Sequence, residues 1–94
     1  MGIRRLALDV DKTVSEPDLV HLIEAIEAVA GVSAVNITVT DIDIETVGTD
    51  VTIEGDAIDV QGVMDAIERT GAVVHSIDQI VAGAYLLERV IRSR

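Results

Sequence analysis

The chain has 94 residues, which suits one small domain, and its core must be aliphatic because 49% of the residues are hydrophobic while Tyr85 is the only aromatic one. The absence of cysteine excludes disulfides, thiolate metal sites and cysteine nucleophiles. Seventeen acidic against seven basic residues give a formal net charge of −10, which disfavours nucleic acid and anionic lipid as partners and favours cations or basic surfaces.

The first predicted elements are a strand and a helix. Residues 3–10 alternate apolar positions such as Leu6 and Leu8 with others, which is the period of a half-buried strand. Residues 15–18 (Ser-Glu-Pro-Asp) predict a helix start, with a capping hydroxyl, a proline in the first turn and acids at the positive end of the helix dipole. Apolar residues then recur at helical spacing, and Gly31 is predicted to close the helix.

A second strand follows, and its pattern changes phase part-way. Val35, Ile37 and Val39 share one face, but after Asp41 the apolar positions become the even-numbered ones. A β-bulge or a switch of the buried face would explain this change. Residues 47–50 (Val-Gly-Thr-Asp) are predicted to form the turn before a return strand.

The last predicted elements are a helix, a strand and an arm. Gly55 and Asp56 lead into a helix that is predicted to end at Gly71, and its apolar positions again have helical spacing. Val73, His75 and Ile77 are predicted to make the last strand. Residues 81–94 then read as a short helix or an arm.

The order strand, helix, strand, strand, helix, strand predicts an α+β fold over residues 1–94, a ferredoxin-like split β-α-β sandwich. Two helices would cover one face of a four-stranded antiparallel sheet. In this topology the first two strands run parallel with the third between them. Asp9 and Asp11 should therefore finish at the same sheet end as Asp41, Asp43 and Glu45.

These carboxylates are the candidate metal ligands. Asp41, Asp43 and Glu45 have two-residue spacing, which in an extended chain places them on one side about 6.6–7 Å apart. Like charges so placed repel each other unless a cation or solvent relieves them. Oxygen ligands suit calcium, which takes six to eight of them, more than one strand supplies, so neighbouring strands or a second subunit must add others. The predicted metal ligands are Asp9, Asp41, Asp43, Glu45 and Asp78. The alternative is a solvated acidic face adapted to a high-salt cytoplasm.

Metal-independent catalysis is not indicated. His21 and His75 lie on different predicted elements, and the scattered glycines do not form a phosphate-binding loop after a strand. His75 on a strand face reads as a core or interface residue that makes one hydrogen bond, with metal liganding as the alternative. We therefore predict that the protein is not an enzyme, while an enzyme using a bound divalent metal stays open as a third reading.

Several short motifs in order along the chain resemble a small archaeal family, domain of unknown function 211. The clearest lies at the last strand, residues 75–83 (His-Ser-Ile-Asp-Gln-Ile-Val-Ala-Gly), and the similarity runs to about Glu88. The other matching motifs are Leu8-Asp9-Val10, Lys12, Glu16-Pro17, Gly31-Val32, Val35-Asn36-Ile37, Asp43-Ile44-Glu45-Thr46 and Val51-Thr52-Ile53-Glu54-Gly55.

The resemblance implies a ferredoxin-like fold, assembly into rings or larger arrays, and calcium as a bound ion, without a known reaction. The chain departs from the family pattern after its first lysine, where Thr13-Val14-Ser15 replaces a Pro-His pair. It departs again at Gln79, where an acid is common, and at its last residues. A histidine site after the first strand is therefore not expected here.

The sequence thus predicts a non-enzymatic, self-assembling protein, a homo-oligomer larger than a dimer with calcium-dependent or calcium-tuned contacts. Open sheet edges and an apolar run at Tyr85, Leu86, Leu87, Val90 and Ile91 support this prediction. The alternative is a regulatory module that binds a small ligand at a subunit interface, which rests on fold analogy. No signal peptide and no membrane-spanning run are apparent, and a cytoplasmic location is expected.

Overall fold

The computed structural model describes residues 2–91 and confirms the predicted order of elements. The strands and helices are β1 (Gly2–Thr13), α1 (Leu19–Glu27), β2 (Val32–Ile42), β3 (Thr46–Gly55), α2 (Val60–Arg69) and β4 (Val73–Gly83). This is the ferredoxin-like α+β architecture. Within residues 2–91, no helix has both the length and the apolar character that a membrane crossing requires.

The four strands form one sheet in the order β2-β3-β1-β4, and every neighbouring pair is antiparallel. As predicted, β1 and β2 run in the same direction with β3 between them. The ends of β1 and β2 therefore meet at one end of the sheet, where Gly48 of β3 lies opposite both Asp11 of β1 and Asp41 of β2. The long strands β2 and β4 form the two edges of the sheet.

Both helices begin at an aspartate cap, and for α1 this cap replaces the predicted serine. The Asp18 carboxylate accepts a hydrogen bond from the backbone N–H of His21, and Asp59 accepts one from Gly62. The prediction that Ser15 caps α1 was wrong by three residues, because Asp18 satisfies the free N–H groups of the first turn. Gly71 follows the Thr70 cap of α2 with a φ of +97°, a conformation that favours glycine.

The two faces of the sheet differ in what covers them. Leu6, Leu8 and Val10 of β1 point to the helix-covered face and are buried, together with Leu22 of α1 and Ile67 of α2. We call the opposite face the open face. It carries the alternate residues of the same strands, and neither α1 nor α2 covers it, so the main aliphatic core lies on the other side of the sheet.

A β-bulge explains the change of phase in β2. Val39 pairs with Thr49, and Asp41 pairs with Gly48, so Thr40 is an extra residue between them. The bulge lets Ile42 pair with Val47 on the helix-covered side. The turn lies at residues 43–45, where the Asp43 backbone N–H donates to the Thr46 carbonyl. The prediction of a turn at residues 47–50 was therefore wrong, because these residues belong to β3.

Bulges also change which residues of β4 face the core. The register shifts between Asp9–Ser76 and Val10–Val74, so His75 is an extra residue and Val74 packs against the core. The predicted last strand through Val73, His75 and Ile77 is confirmed, but Val73 and His75 are exposed, so His75 is not a core residue.

Residues 84–91, which we call the tail, contain no helix. Of the two predicted forms, the arm is correct over this range, although β4 extends to Gly83 before the tail begins. Residues 92–94 of the predicted arm lie outside the described residues.

Candidate functional site

An acidic row crosses the open face of the sheet. Asp9 of β1 lies directly opposite Asp50 of β3, and Asp11 and Asp41 lie on either side of Gly48. Directly opposite residues of an antiparallel pair point to the same face, so these four carboxylates share the open face. A Cβ atom added at Gly48 would lie 3.6 Å from the Asp41 Cβ and 3.7 Å from an Asp11 carboxylate oxygen. The absence of a side chain at Gly48 thus leaves a gap between Asp11 and Asp41.

Asp43 and Glu45 lie in the turn between β2 and β3 and are exposed. One carboxylate oxygen of Asp43 accepts a hydrogen bond of 2.7 Å from the Ile44 backbone N–H. This bond orients the Asp43 carboxylate while its other oxygen remains available. The turn therefore presents both acids outward at the end of the sheet, beside the acidic row.

Asp78 is the predicted ligand that lies apart from the others. It is in the middle of β4, next to the register shift opposite Ala7 and Leu8, and its carboxylate accepts a hydrogen bond of 2.7 Å from the Ser76 hydroxyl. His75 lies nearer the acidic row, with its Nδ1 3.6 Å from a carboxylate oxygen of Asp9. Of the predicted ligands, the structure brings Asp9 and Asp41 onto the open face and Asp43 and Glu45 to its end.

Residues 2–91 contain no group of three or more histidine, aspartate or glutamate side chains arranged to bind one metal ion. Apart from Asp78, the predicted acids thus lie near one end of the sheet, but residues 2–91 of one chain do not gather them into one site. A calcium ion that takes six to eight oxygens would need ligands from more than one copy of the chain.

Two residues of this region were not among the predicted ligands. Asp50 was assigned to a turn, although its phase relative to Val51 and Ile53, both buried, places it on the open face. Asp11 was recognised as a neighbour of the cluster but was not selected. Because successive residues of a strand point to opposite faces, counting back from Ile53 would have assigned Asp50 to the open face.

A groove of about 380 Å³ lies at the same end of the sheet, on the helix-covered side. It is lined by Lys12, Val14, Ser15, Asp18, Leu19, Val39, Ile42 and Val47. Lys12 is the only lysine in the chain, and only 7% of it is exposed. Its ammonium group donates to the Thr13 carbonyl at 2.7 Å and to the Val14 carbonyl at 3.5 Å. Among residues 2–91 the ion pairs are made by Arg4 and Arg5, and Lys12 makes none.

The tail is attached to the open face by one arginine. Arg5 of β1 pairs with Glu54 of β3 at 2.8 Å and with Glu88 of the tail at 2.8 Å. Hydrogen bonds from Arg5 lower the pKa of Glu88, and the bonds to Glu88 and Glu54 raise the pKa of Arg5. Leu87 lies beside Val81, which is buried on this face. Leu87 itself is still mostly exposed, as are the other large apolar side chains of the tail.

Comparison with known sequences places these features in a family. The model of DUF211, a family described as "Uncharacterized ArCR", matches residues 4–94. The chain is also similar to the uncharacterized protein MJ0319 of Methanocaldococcus jannaschii, with 40% identity over 89 residues that cover 95% of this chain and 91% of the relative. The match extends from β1 through the tail, and the chain therefore belongs to the DUF211 family.

Proposed function

We propose that this protein is a non-enzymatic, self-assembling protein of the cytoplasm that forms homo-oligomers larger than a dimer, with contacts tuned by calcium. The observation that carries the proposal is the exposure of large apolar side chains in two separate places, the groove and the tail. Ile42 at the groove is 71% exposed and Ile91 in the tail is 84% exposed. Contiguous apolar surface of this kind is typical of protein interfaces.

The edges of the sheet support the same proposal. β2 and β4 are 11 residues long each, and within residues 2–91 each leaves one row of backbone N–H and C=O groups without a neighbouring strand. Edge strands of this length pair with other chains unless charges, prolines or bulges protect them. β2 has two bulges, at Ser33 and at Thr40, but its apolar end at Ile42 is exposed and remains available.

Calcium enters the proposal through the acidic row and the turn. Asp9 lies directly opposite Asp50, and like charges so placed repel each other. Asp43 and Glu45 are the acids best placed to meet a second copy because they project from the end of the sheet. A calcium ion bridging two copies would relieve the repulsion and gain ligands from both, while nucleic acid is disfavoured as a partner by the net charge of −10.

The alternative function is a regulatory module that binds a small ligand. The groove favours this reading in one respect, because the Lys12 ammonium group is buried beside apolar walls and could receive a small carboxylate. Such a ligand would raise the melting temperature without changing the size of the particle.

Light scattering coupled to gel filtration tests the assembly. At tens of micromolar protein, with calcium or with chelator in matched salt, we expect a mass larger than that of two chains and a dependence of that mass on calcium. A strictly monomeric protein in both conditions would contradict the proposal.

The calcium contribution is tested with Asp43→Asn. This change keeps the shape of the side chain and removes one anionic ligand, so calcium affinity should fall while the apoprotein remains at least as stable. Titration calorimetry and melting curves measure both effects, with Glu68→Gln on α2 as the matched control for loss of one remote charge. If parent and Asp43→Asn bind calcium equally, or neither binds it below millimolar concentration, the acids are a solvated face.

A further inference from the structure

The groove described above is a concave apolar surface at one corner of the molecule. Its walls come from the segment after β1, from α1 and from the ends of β2 and β3. Val14, Val39 and Ile42 are exposed around it, and Lys12 and Asp18 are its charged members. The shape and chemistry suit a short apolar segment that also carries positive charge.

The tail is such a segment. Its large apolar residues are Tyr85, Leu86, Leu87, Val90 and Ile91, and all of them are exposed. Residues 84–94 contain three arginines and one glutamate, whereas residues 1–83 contain four basic and sixteen acidic residues. Residues 84–94 therefore carry a net charge of +2 against −12 for residues 1–83, with Arg89 in the tail and Arg92 and Arg94 after it in the sequence.

The tail does not reach the groove of its own chain over the described residues. It is attached to the open face at Arg5, and Leu87 and Arg89 lie along β4, which is one edge of the sheet. The groove lies on the helix-covered side beside β2, which is the other edge. The sheet itself separates the two surfaces, so a second copy of the chain is the partner that can join them.

We propose that the tail of one copy docks in the groove of the next, with its apolar side chains against Val14, Val39 and Ile42. The inference rests on the proposed function, since it names the surfaces that self-assembly would use. The net positive charge of residues 84–94 complements Asp18 in the groove and Asp43 and Glu45 in the adjoining turn. Because groove and tail are different surfaces, the contact is head-to-tail and generates a ring or a filament rather than an isolated symmetric dimer.

Two single variants and their mixture test the contact. Ile42→Asp places a charge in the groove and leaves the tail intact, and Val90→Asp does the opposite. Val20→Asp is the matched control, because Val20 is an exposed apolar residue of α1 that does not line the groove. Circular dichroism checks the fold of each protein, and Val14→Asp, which changes the same groove, replaces Ile42→Asp if that variant does not fold.

At a concentration where the parent assembles, each single variant should fall to the mass of one chain, 10.0 kDa, while Val20→Asp keeps the parent mass. The mixture of the two variants should double in mass to a one-to-one dimer, because one intact tail still meets one intact groove and the chain of contacts stops there. Such complementation is specific to a head-to-tail contact.

Other results separate the inference from the proposed function. If the parent assembles and either variant keeps the parent mass, assembly uses another surface, such as the strand edges, and the inference is overturned. If each variant alone forms a dimer, or the mixture stays monomeric, the contact is not head-to-tail and the inference is again overturned. A monomeric parent overturns the proposed function and the inference with it.

Discussion

The two faces of the sheet are expected to tolerate different amino-acid substitutions. On the helix-covered face, Leu6, Leu8 and Val10 are wholly or almost wholly buried against both helices. On the open face, Asp9 lies across from Asp50 with solvent above them, and Arg5 attaches the tail. One face of the same strand therefore stabilises the fold, while the other contributes little to stability and carries the charge and the attachment of the tail. Along β1, the even-numbered residues therefore stabilise the fold, and the odd-numbered residues carry the groups available for interaction.

The largest effect is expected for Leu8→Ala, which tests the helix-covered face. Removing a completely packed leucine side chain should lower the free energy of unfolding by about 2–5 kcal/mol, because the helices cannot close the cavity fully. Thr52→Ala, on the open face of β3, is the control and should change it by no more than about 0.5 kcal/mol. Urea unfolding at equal oligomeric state measures both. Equal losses for the two variants would show that the open face is also a packed face.

The next largest effect is expected for truncation after Gly83. The truncated chain should lose assembly but keep its circular-dichroism signal, because the core lies on the other side of the sheet. Loss of the cover over Val81 should lower the free energy of unfolding by about 1–2 kcal/mol, less than Leu8→Ala. A truncated protein that loses its circular-dichroism signal would place the tail in the core.

A smaller effect, of opposite sign, is expected for Asp50→Asn. Asp9 and Asp50 are directly opposite each other, so removing one charge should raise the free energy of unfolding by about 0.2–1 kcal/mol. The gain should shrink at high salt, where exposed charges are screened. Glu68→Gln on α2 is the control for a change of net charge. If both variants gain equally, net charge rather than the Asp9–Asp50 pair is responsible.

The smallest effect concerns the attachment of the tail. Hydrogen bonds from Arg5 lower the pKa of Glu88 below its ordinary 4.5, so the ionised carboxylate favours the attached tail. This contribution is present above pH 4.5 and is lost as the pH falls below that value through the lowered pKa. The anisotropy of Tyr85 fluorescence should therefore fall in dilute acid. Glu88→Gln should show the lower anisotropy at neutral pH and no further step in acid; an unchanged acid step would assign the effect to another group.

The residues of the buried face were predictable from the sequence because apolar residues recur there at regular spacing. Leu6, Leu8 and Val10 recur with period two, and the second helix ends at Gly71 as predicted. The local sequence indicated a turn at Gly48, but in the folded chain this residue lies within β3. The hydroxyl of Thr49, which is buried, donates to the Val10 carbonyl at 2.8 Å, a contact between residues 39 apart that no local pattern reveals.

The residues of the candidate site were less predictable because β-bulges determine which side chains lie together. One extra residue at Thr40 and one at His75 change which side chains reach the open face, and the bulge at His75 has no local glycine or proline signal. The shared sheet end of Asp9 and Asp41 followed from topology alone. The separation of Asp78 from them depends on the register of β4, which only the paired strands define.

The burial of Lys12 has a practical consequence for chemical labelling. Because no other lysine exists in the chain, amine-reactive cross-linkers find no exposed lysine side chain, and reagents that couple carboxylates suit this protein better. The same isolation makes Lys12 a reporter of local opening at the end of β1. Its acylation requires the ammonium group to leave the Thr13 and Val14 carbonyls, so the rate of acylation measures how often this end of the strand opens.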